Sequence, residues 1–235
     1  MKPKVAILGN WNEYYEPHFT LNACLMDFKE IIEVEWIATE LLLHHAAALL
    51  SSFSGIIAGS GPYKSKEGVI NGIRYARENN IAFLGTCSGF GYAVLEFGQW
   101  VFNLPAVYHP HEGIELTAGE TFLEPLQFCS KEMHTISFTP VSGTQTAHLY
   151  NVAAMVNEQS HCNYGVNRKM IDAFEKMGLV VAGKDQEGET KIMEYNRNNF
   201  FIIMLFLPQL KQGIGLMHPL ISAFVNAATS LTINN

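Results

Sequence analysis

The chain has 235 residues, a formal net charge of −7 and only 16% charged residues. The length suits one α/β domain, and the charged fraction lies below the ~25% of an average globular domain, which argues against a disordered chain. The acidic balance disfavours a nucleic-acid partner, because phosphates need a basic surface. We expect a single domain over residues 1–235, part of whose surface is covered by another copy of the chain or by a partner.

Targeting and membrane signals are weak. A short apolar run ends at Gly9, whereas a secretory signal has a longer apolar region and a small-residue cleavage site. The longest apolar run, residues 200–208, is too short for a bilayer. We therefore expect a cytoplasmic protein with no membrane partner. The sequence contains no Cys-x-x-Cys pair, so neither a metal site nor a redox motif is indicated. No other pattern indicates a cofactor. The four cysteines are Cys24, Cys87, Cys129 and Cys162.

Short apolar runs in the first part of the chain predict strands. They lie at residues 5–8, 34–37, 55–59 and 81–85. Between the last two, residues 66–80 carry apolar side chains at helical spacing. Strand–helix–strand repeats of this size predict a parallel sheet with right-handed crossovers.

The rest of the chain is less uniform. Residues 105–167 are rich in Thr, Ser, His and Pro, which predicts loops and short antiparallel strands. Regular patterns then predict further strands and a closing helix. The strands are expected at 179–182, 191–195 and 200–206, with a hairpin turn at 185–188, and the helix at 219–229.

A glycine-flanked cysteine is the first candidate for chemistry. Residues 85–89 read Gly-Thr-Cys-Ser-Gly and separate a predicted strand from a helix-like stretch at 91–97. This pattern is typical of a nucleophile elbow, here with Cys87 as nucleophile. The helix N-terminus would lower the pKa of the thiol, and the Ser88 N–H would face a developing oxyanion. The alternative is a buried Cys in a glycine-rich turn.

A second glycine-rich turn follows the preceding predicted strand. Residues 58–62 read Ala-Gly-Ser-Gly-Pro. Turns after neighbouring parallel strands meet at the carboxyl edge of the sheet, so we expect this turn beside Cys87. Gly59 or Ser60 would supply a second oxyanion N–H, and Gly61 would contact the substrate.

Several stretches match a known family in order and spacing. They are Gly-Ile-Ile-Ala-Gly at 55–59, Phe-Leu-Gly-Thr-Cys at 83–87, Tyr-Gly-Val-Asn at 164–167 and Leu-Pro-Gln at 207–209. Over nearly its whole length the chain resembles the class I glutamine amidotransferase family, in particular the carboxyl-terminal domain of CTP synthase and its stand-alone relatives. The resemblance implies a flavodoxin-like three-layer sandwich with a mostly parallel central sheet.

The resemblance also implies a Cys-His-Glu triad, with Cys87 as its nucleophile. The family's His-Pro-Glu motif after the last strand corresponds here to Leu207, Pro208 and Gln209. Leucine cannot accept a proton, and glutamine cannot ionise to orient an imidazole. The usual general base is therefore absent from its expected position.

Substrate-recognition positions differ as well. Asn163 stands where CTP synthase has the Arg that recognises the substrate carboxylate, and His161 lies in the same region. His111 is our candidate for a substitute base, with Glu112 as the counterpart of a family Glu that contacts glutamine. The alternative is that residues 109–112 form a solvated polar loop.

Two functional classes stay open from the sequence. The first is an enzyme in which Cys87 acts on a small amide or amino-acid-like acyl substrate with an atypical base. The second is a catalytically inactive relative that binds a metabolite or a partner subunit. A redox role for the thiol is a more distant third. The partners considered are a second copy of the chain and a separate synthetase subunit.

Overall fold

The computed structural model describes residues 2–110, 121–127, 132–151, 154–210 and 217–230. The first half contains β1 (Lys4–Leu8), α1 (Glu16–Met26), β2 (Glu33–Ile37), α2 (Thr39–Leu50), β3 (Gly55–Ala58), α3 (Lys66–Glu78), β4 (Ala82–Thr86) and α4 (Ser88–Val101). The second half contains β5 (Leu123–Pro125), β6 (His134–Pro140), α5 (Gln145–Tyr150), β7 (Val156–Ser160), β8 (Tyr164–Val166), α6 (Ile171–Lys176), β9 (Leu179–Lys184), β10 (Thr190–Tyr195), β11 (Phe201–Met204) and α7 (Pro219–Ser230).

A nine-stranded sheet forms the centre of the fold, in the order β2-β1-β3-β4-β11-β10-β9-β6-β7. The five strands from β2 to β11 are mutually parallel, and the pairings beyond β11 are antiparallel. Strands β3, β4 and β11 are buried along their whole length, as expected when helices cover both faces of a parallel sheet. The predicted flavodoxin-like α/β class is confirmed.

Two groups of helices cover the sheet. In one group α2 packs on α3, α3 on α4 and α4 on α6. In the other, α5 packs on α7, and both α7 and α1 contact the 3₁₀ turn Pro208–Leu210. A separate two-stranded sheet of β5 and β8 lies against α4. This small sheet brings the end of β7 toward the start of α4.

Helix α3 shows how the local sequence fixes an element. The Ser65 side chain accepts a hydrogen bond from the Gly68 N–H at 3.0 Å and caps the helix. Val69 and Ile73 are buried on its inner face. The helix ends at Glu78, two residues before the predicted end, because Asn80 adopts a left-handed φ of +52°.

The middle of the chain departs from its prediction in one respect. Besides short antiparallel strands it contains α5, which composition did not indicate. The Thr144 side chain caps this helix by accepting from the Ala147 N–H at 3.1 Å. The carboxylate of Glu194, on β10, accepts the N–H groups of Gln145 and Thr146 at 2.8 and 3.0 Å. The helix therefore depends on a residue distant in sequence.

The elements predicted near the end of the chain agree more closely with the structure. The predicted hairpin turn joins β9 to β10, with the Asp185 N–H donating to the Glu189 carbonyl at 3.0 Å. The strand predicted at 200–206 is shorter and spans Phe201–Met204. None of the helices in the described ranges has both the length and the apolar character needed to cross a bilayer.

Candidate functional site

The turn between β4 and α4 holds Cys87 in a strained backbone conformation. Its φ is +51° and its ψ is −110°, and α4 begins at the next residue. A non-glycine residue at positive φ is uncommon and costs free energy unless the surroundings enforce it. The Cys87 N–H donates to the Met204 carbonyl of β11 at 3.0 Å. This bond fixes the turn to the neighbouring strand.

Gly89 fixes the same turn to β3. A Cβ atom at Gly89 would lie 1.9 Å from the Ala58 carbonyl oxygen, so only glycine permits this close approach. The Gly89 N–H donates to the Gly59 carbonyl at 3.2 Å. The two glycine-rich turns are therefore bonded to each other at the carboxyl edge of the sheet.

The Gly59–Gly61 turn is held by side chains on its other side. The Tyr15 hydroxyl and the Ser60 Oγ form a 2.8 Å hydrogen bond. His18 Nε2 lies 3.0 Å from the Ser60 carbonyl oxygen, to which it donates. The Tyr63 hydroxyl donates to the Gly59 carbonyl. These bonds orient the Ser60 hydroxyl, which in turn hydrogen-bonds the Cys87 sulfur.

The connection between β7 and β8 supplies the opposite wall. The Ser160 Oγ donates to the Leu205 carbonyl at 2.6 Å and accepts from the Cys162 N–H at 3.2 Å. These bonds hold Cys162 at the same edge as Cys87. Both thiols border the same cavity, and each alters the pKa of the other.

These walls enclose a cavity of about 280 Å³. The lining residues with potential chemistry are Ser60, Cys87, Ser88, His109, His161 and Cys162. Both cysteines are mostly buried, with 8% of Cys87 and 7% of Cys162 exposed. Among the residues that the structure describes, no group of three or more His, Cys, Asp or Glu side chains is arranged to hold a metal ion.

The two thiols have opposite acidities. The hydrogen bond from Cys162 and the Ser60 hydroxyl, with the charge of His161 and the Ser88 N–H, lowers the pKa of Cys87 from 9.0 to about 7. Burial opposes this shift but does not outweigh it. The adjacent Cys87 thiolate, together with burial, raises the pKa of Cys162 well above its ordinary value. Near neutral pH, Cys87 is the more ionised thiol of the pair and Cys162 keeps its proton.

A sequence profile described as "Glutamine amidotransferase class-I" matches residues 18–203. The chain belongs to this family. CTP synthase from Campylobacter jejuni subsp. doylei is 30% identical over 267 aligned positions, which cover 98% of this chain and 46% of the relative. CTP synthase from Pyrococcus furiosus is 29% identical, and the aligned region covers 96% of this chain and 44% of that protein. The chain thus spans about half the length of these curated relatives.

Solved structures support the amidotransferase fold. The glutaminase domain of Trypanosoma brucei CTPS, solved with bound acivicin, superposes with a TM-score of 0.85 at 18% identity. The match covers 97% of this chain and 94% of that domain. A glutamine amidotransferase from Thermotoga maritima superposes with a TM-score of 0.58 at 11% identity. At such identities the likeness concerns the fold alone.

In this class I amidotransferase the segment after β11 is packed into the core. Leu207 is fully buried, and its N–H donates to the Gln159 carbonyl at 2.8 Å. Gln209 is 1% exposed, and its Nε2 donates to the Pro17 carbonyl at 3.3 Å. Within the described part of the chain, the Gln209 Oε1 has no hydrogen-bond partner. Neither side chain is among the described residues that line the cavity.

Most of the predicted site residues lie together. Cys87, Ser60, Ser88 and His161 line the cavity, and Gly59 and Gly61 flank Ser60 in the adjoining turn. His111 and Glu112 lie outside the described residues. From the same predicted cluster, His109 lines the cavity and packs edge-on against Tyr164.

Sequence reasoning missed two site residues, Cys162 and Tyr15. Cys162 carries no motif, although it follows His161 in a region that the sequence assigns to substrate. Tyr15 precedes α1 and carried no motif. Burial raises the pKa of Tyr15, and the charge of Cys87 adds to the shift. Its hydroxyl therefore stays protonated beside Ser60.

Proposed function

We propose that the chain is a Cys87-dependent enzyme that forms a covalent acyl intermediate on a small amide or amino-acid-like acyl substrate. The observation that supports this is the acidity and position of the Cys87 thiol. It borders the cavity at the start of α4, and its pKa is about 7. Such a thiol is about half ionised at neutral pH, whereas an ordinary Cys is ionised only to a few per cent.

The proposed reaction begins when the Cys87 thiolate attacks the carbonyl carbon. A C–S bond forms and the carbonyl electron pair moves to oxygen. The Ser88 N–H and an N–H of Gly59 or Ser60 would donate to this oxyanion, and Gly61 would contact the substrate. The C–N bond then breaks, the amine leaves with a proton, and water hydrolyses the thioester.

The leaving amine and the hydrolytic water still require a proton carrier. His111 is our proposal for this role, with Glu112 as a substrate contact. His161 and His109 line the cavity and are the competing imidazoles. His18 is less suited, because burial lowers its pKa and its Nε2 is engaged with the Ser60 carbonyl.

One observation favours an inactive relative instead. Where the family has its His and Glu, Leu207 is buried and the Gln209 amide is bonded to the Pro17 carbonyl. A chain without these groups would serve as a binding protein for a metabolite or a partner subunit. A separate synthetase subunit, or a second copy of this chain, is the partner that we propose in either case.

The test is ammonia release from glutamine and from a panel of simple amides, with Cys87→Ala measured in parallel. We expect release that depends on Cys87 and falls by about a thousandfold or more in Cys87→Ala. His111→Ala and His161→Ala then identify the proton carrier. No release from any amide, together with slow alkylation of Cys87 at pH 7, would overturn the enzyme and favour the binding protein.

A further inference from the structure

Two thiols from distant parts of the sequence face each other in the cavity. Cys87 begins α4, and Cys162 lies between β7 and β8. Both are present as free thiols, both line the same cavity, and each alters the pKa of the other. The acyl chemistry proposed above requires only one of them. The second thiol therefore needs its own explanation.

The backbone around the pair holds both cysteines at the edge of the cavity. Cys87 is fixed on both sides, by the Met204 carbonyl and by the contact between Gly89 and β3. Cys162 lies in a short connection, where its N–H is bonded to the Ser160 hydroxyl. A disulfide requires an S–S distance of about 2.05 Å, and both thiols border one cavity of about 280 Å³, within which they would meet.

We propose that Cys87 and Cys162 form a reversible intramolecular disulfide when a hydroperoxide enters the cavity. Cys87 is the thiol that is oxidised first, since it is the more ionised of the two. Cys162 keeps its proton and is the resolving thiol.

The chemistry balances with the hydroperoxide as the oxidant. The Cys87 thiolate attacks one peroxide oxygen, so that an S–O bond forms and the O–O bond breaks. The departing oxygen takes up a proton and leaves as water or an alcohol, and Cys87 becomes a sulfenic acid. The Cys162 sulfur then attacks the Cys87 sulfur, the S–O bond breaks, and water leaves with the Cys162 proton. The two thiols lose two electrons, which the peroxide gains.

Such a disulfide would remove the Cys87 nucleophile, and a dithiol would restore it by exchange. The site would therefore lose acyl chemistry under peroxide and recover it under reducing conditions. The oxidation requires only the two thiols, so it can be tested without an amide substrate. A failure of amide turnover and a failure of disulfide formation are thus separate results.

The experiment treats the full reduced chain with one equivalent of hydrogen peroxide, blocks the remaining thiols by alkylation, and maps the peptides by mass spectrometry. The expected result is a peptide pair linked through Cys87 and Cys162, which dithiothreitol separates. Cys24→Ala is the matched control and is expected to form the same link, because Cys24 lies on α1 and is not among the cavity residues described.

Cys162→Ser tests the resolving role. It should accumulate the Cys87 sulfenic acid, trapped by a 1,3-dione probe, at about tenfold the level of the unaltered chain. The proposal is overturned if the unaltered chain keeps Cys162 reduced while Cys87 proceeds to the sulfinic acid. It is equally overturned if Cys87 pairs with Cys24, with Cys129 or with a second chain.

Discussion

On one side of the cavity, the turns after β3 and β4 are fixed by backbone hydrogen bonds and by the absence of a side chain at Gly89. On the other side, after β7, the site is defined by which side chains occupy the positions, among them His161 and Cys162. The first side fixes where the Cys87 thiol sits, and the second side supplies Cys162, the largest contribution to its acidity. Under the proposed function, the second side would decide what the thiol acts on and what carries the protons.

This difference means that a class I amidotransferase can keep its frame while the side chains around the cavity change. Substituting a residue on the backbone-built side disturbs packing, because atoms are already in contact there. Substitution on the side built from side chains can leave the fold intact. Leu207, for example, is accommodated after β11 as a buried core residue.

The largest expected effect on stability is at the turns after β3 and β4. Gly89→Ala should lower the free energy of unfolding by about 3 kcal/mol or more, because its Cβ would meet the Ala58 carbonyl oxygen. An ordinary Gly→Ala change within a helix would instead stabilise by up to ~1 kcal/mol. Urea unfolding followed by circular dichroism measures the change.

Gly59→Ala is the matched control for that prediction. Its Cβ would lie 3.5 Å from the nearest side-chain atom, Leu21 Cδ2, which is an ordinary contact. We expect a change below about 1 kcal/mol. Equal stability of the two variants would show that the close approach of α4 to β3 does not constrain the turn.

An intermediate effect on stability is expected for Gln209, in the segment after β11. Gln209→Glu replaces an amide that donates to the Pro17 carbonyl with a buried carboxylate that repels it. The unfolding free energy should fall by about 1–3 kcal/mol at pH 7. Burial raises the pKa of the new carboxyl group above its unfolded value of ~4.3. Stability is therefore lost as the pH rises through the folded pKa, and the deficit should shrink at pH 4.

Gln209→Met separates charge from the lost hydrogen bond. It removes the amide without adding a charge, so its stability deficit should not change between pH 4 and pH 7. If Gln209→Glu shows the same pH-independent deficit, the carboxylate is solvated or paired, and a Glu at this position is compatible with the fold as it stands.

The smallest effect concerns the acidity of Cys87. The rate of its alkylation by iodoacetamide should rise with pH around a midpoint of about 7. Cys162→Ala removes the largest contribution to the thiolate's stability, so the midpoint should rise by about one pH unit toward the ~8.5 of free Cys. Alkylation at pH 7 should then slow several-fold.

Cys162→Ser is the control for acidity, because its hydroxyl can still donate to the thiolate. Its midpoint should stay closer to that of the unaltered chain. The other charged or ionisable groups that interact with Cys87 are the same in both variants. They are His161, Tyr15 and Tyr63. An unaltered midpoint in Cys162→Ala would mean that the second thiol does not set the acidity of the first.

Much of the fold could be predicted because its signals are local. The glycine-bounded apolar runs, the helical spacing in α3 and the turn at Asp185 all depend on neighbouring residues. Prediction was weaker where an element depends on distant partners. Helix α5 needs the Glu194 carboxylate of β10 at its first turn, and no local pattern reveals that contact.

The sequence by itself determined the position of Cys87 between a buried strand and a helix, with glycines where the turn and the contact with β3 require them. Local chain geometry dictates those features. Only the tertiary structure decided that Cys162 lies against Cys87, that Tyr15 orients Ser60, and that Gln209 is bonded to Pro17. Each of these pairs joins separate elements, and their contacts arise only when the sheet and the helices pack together.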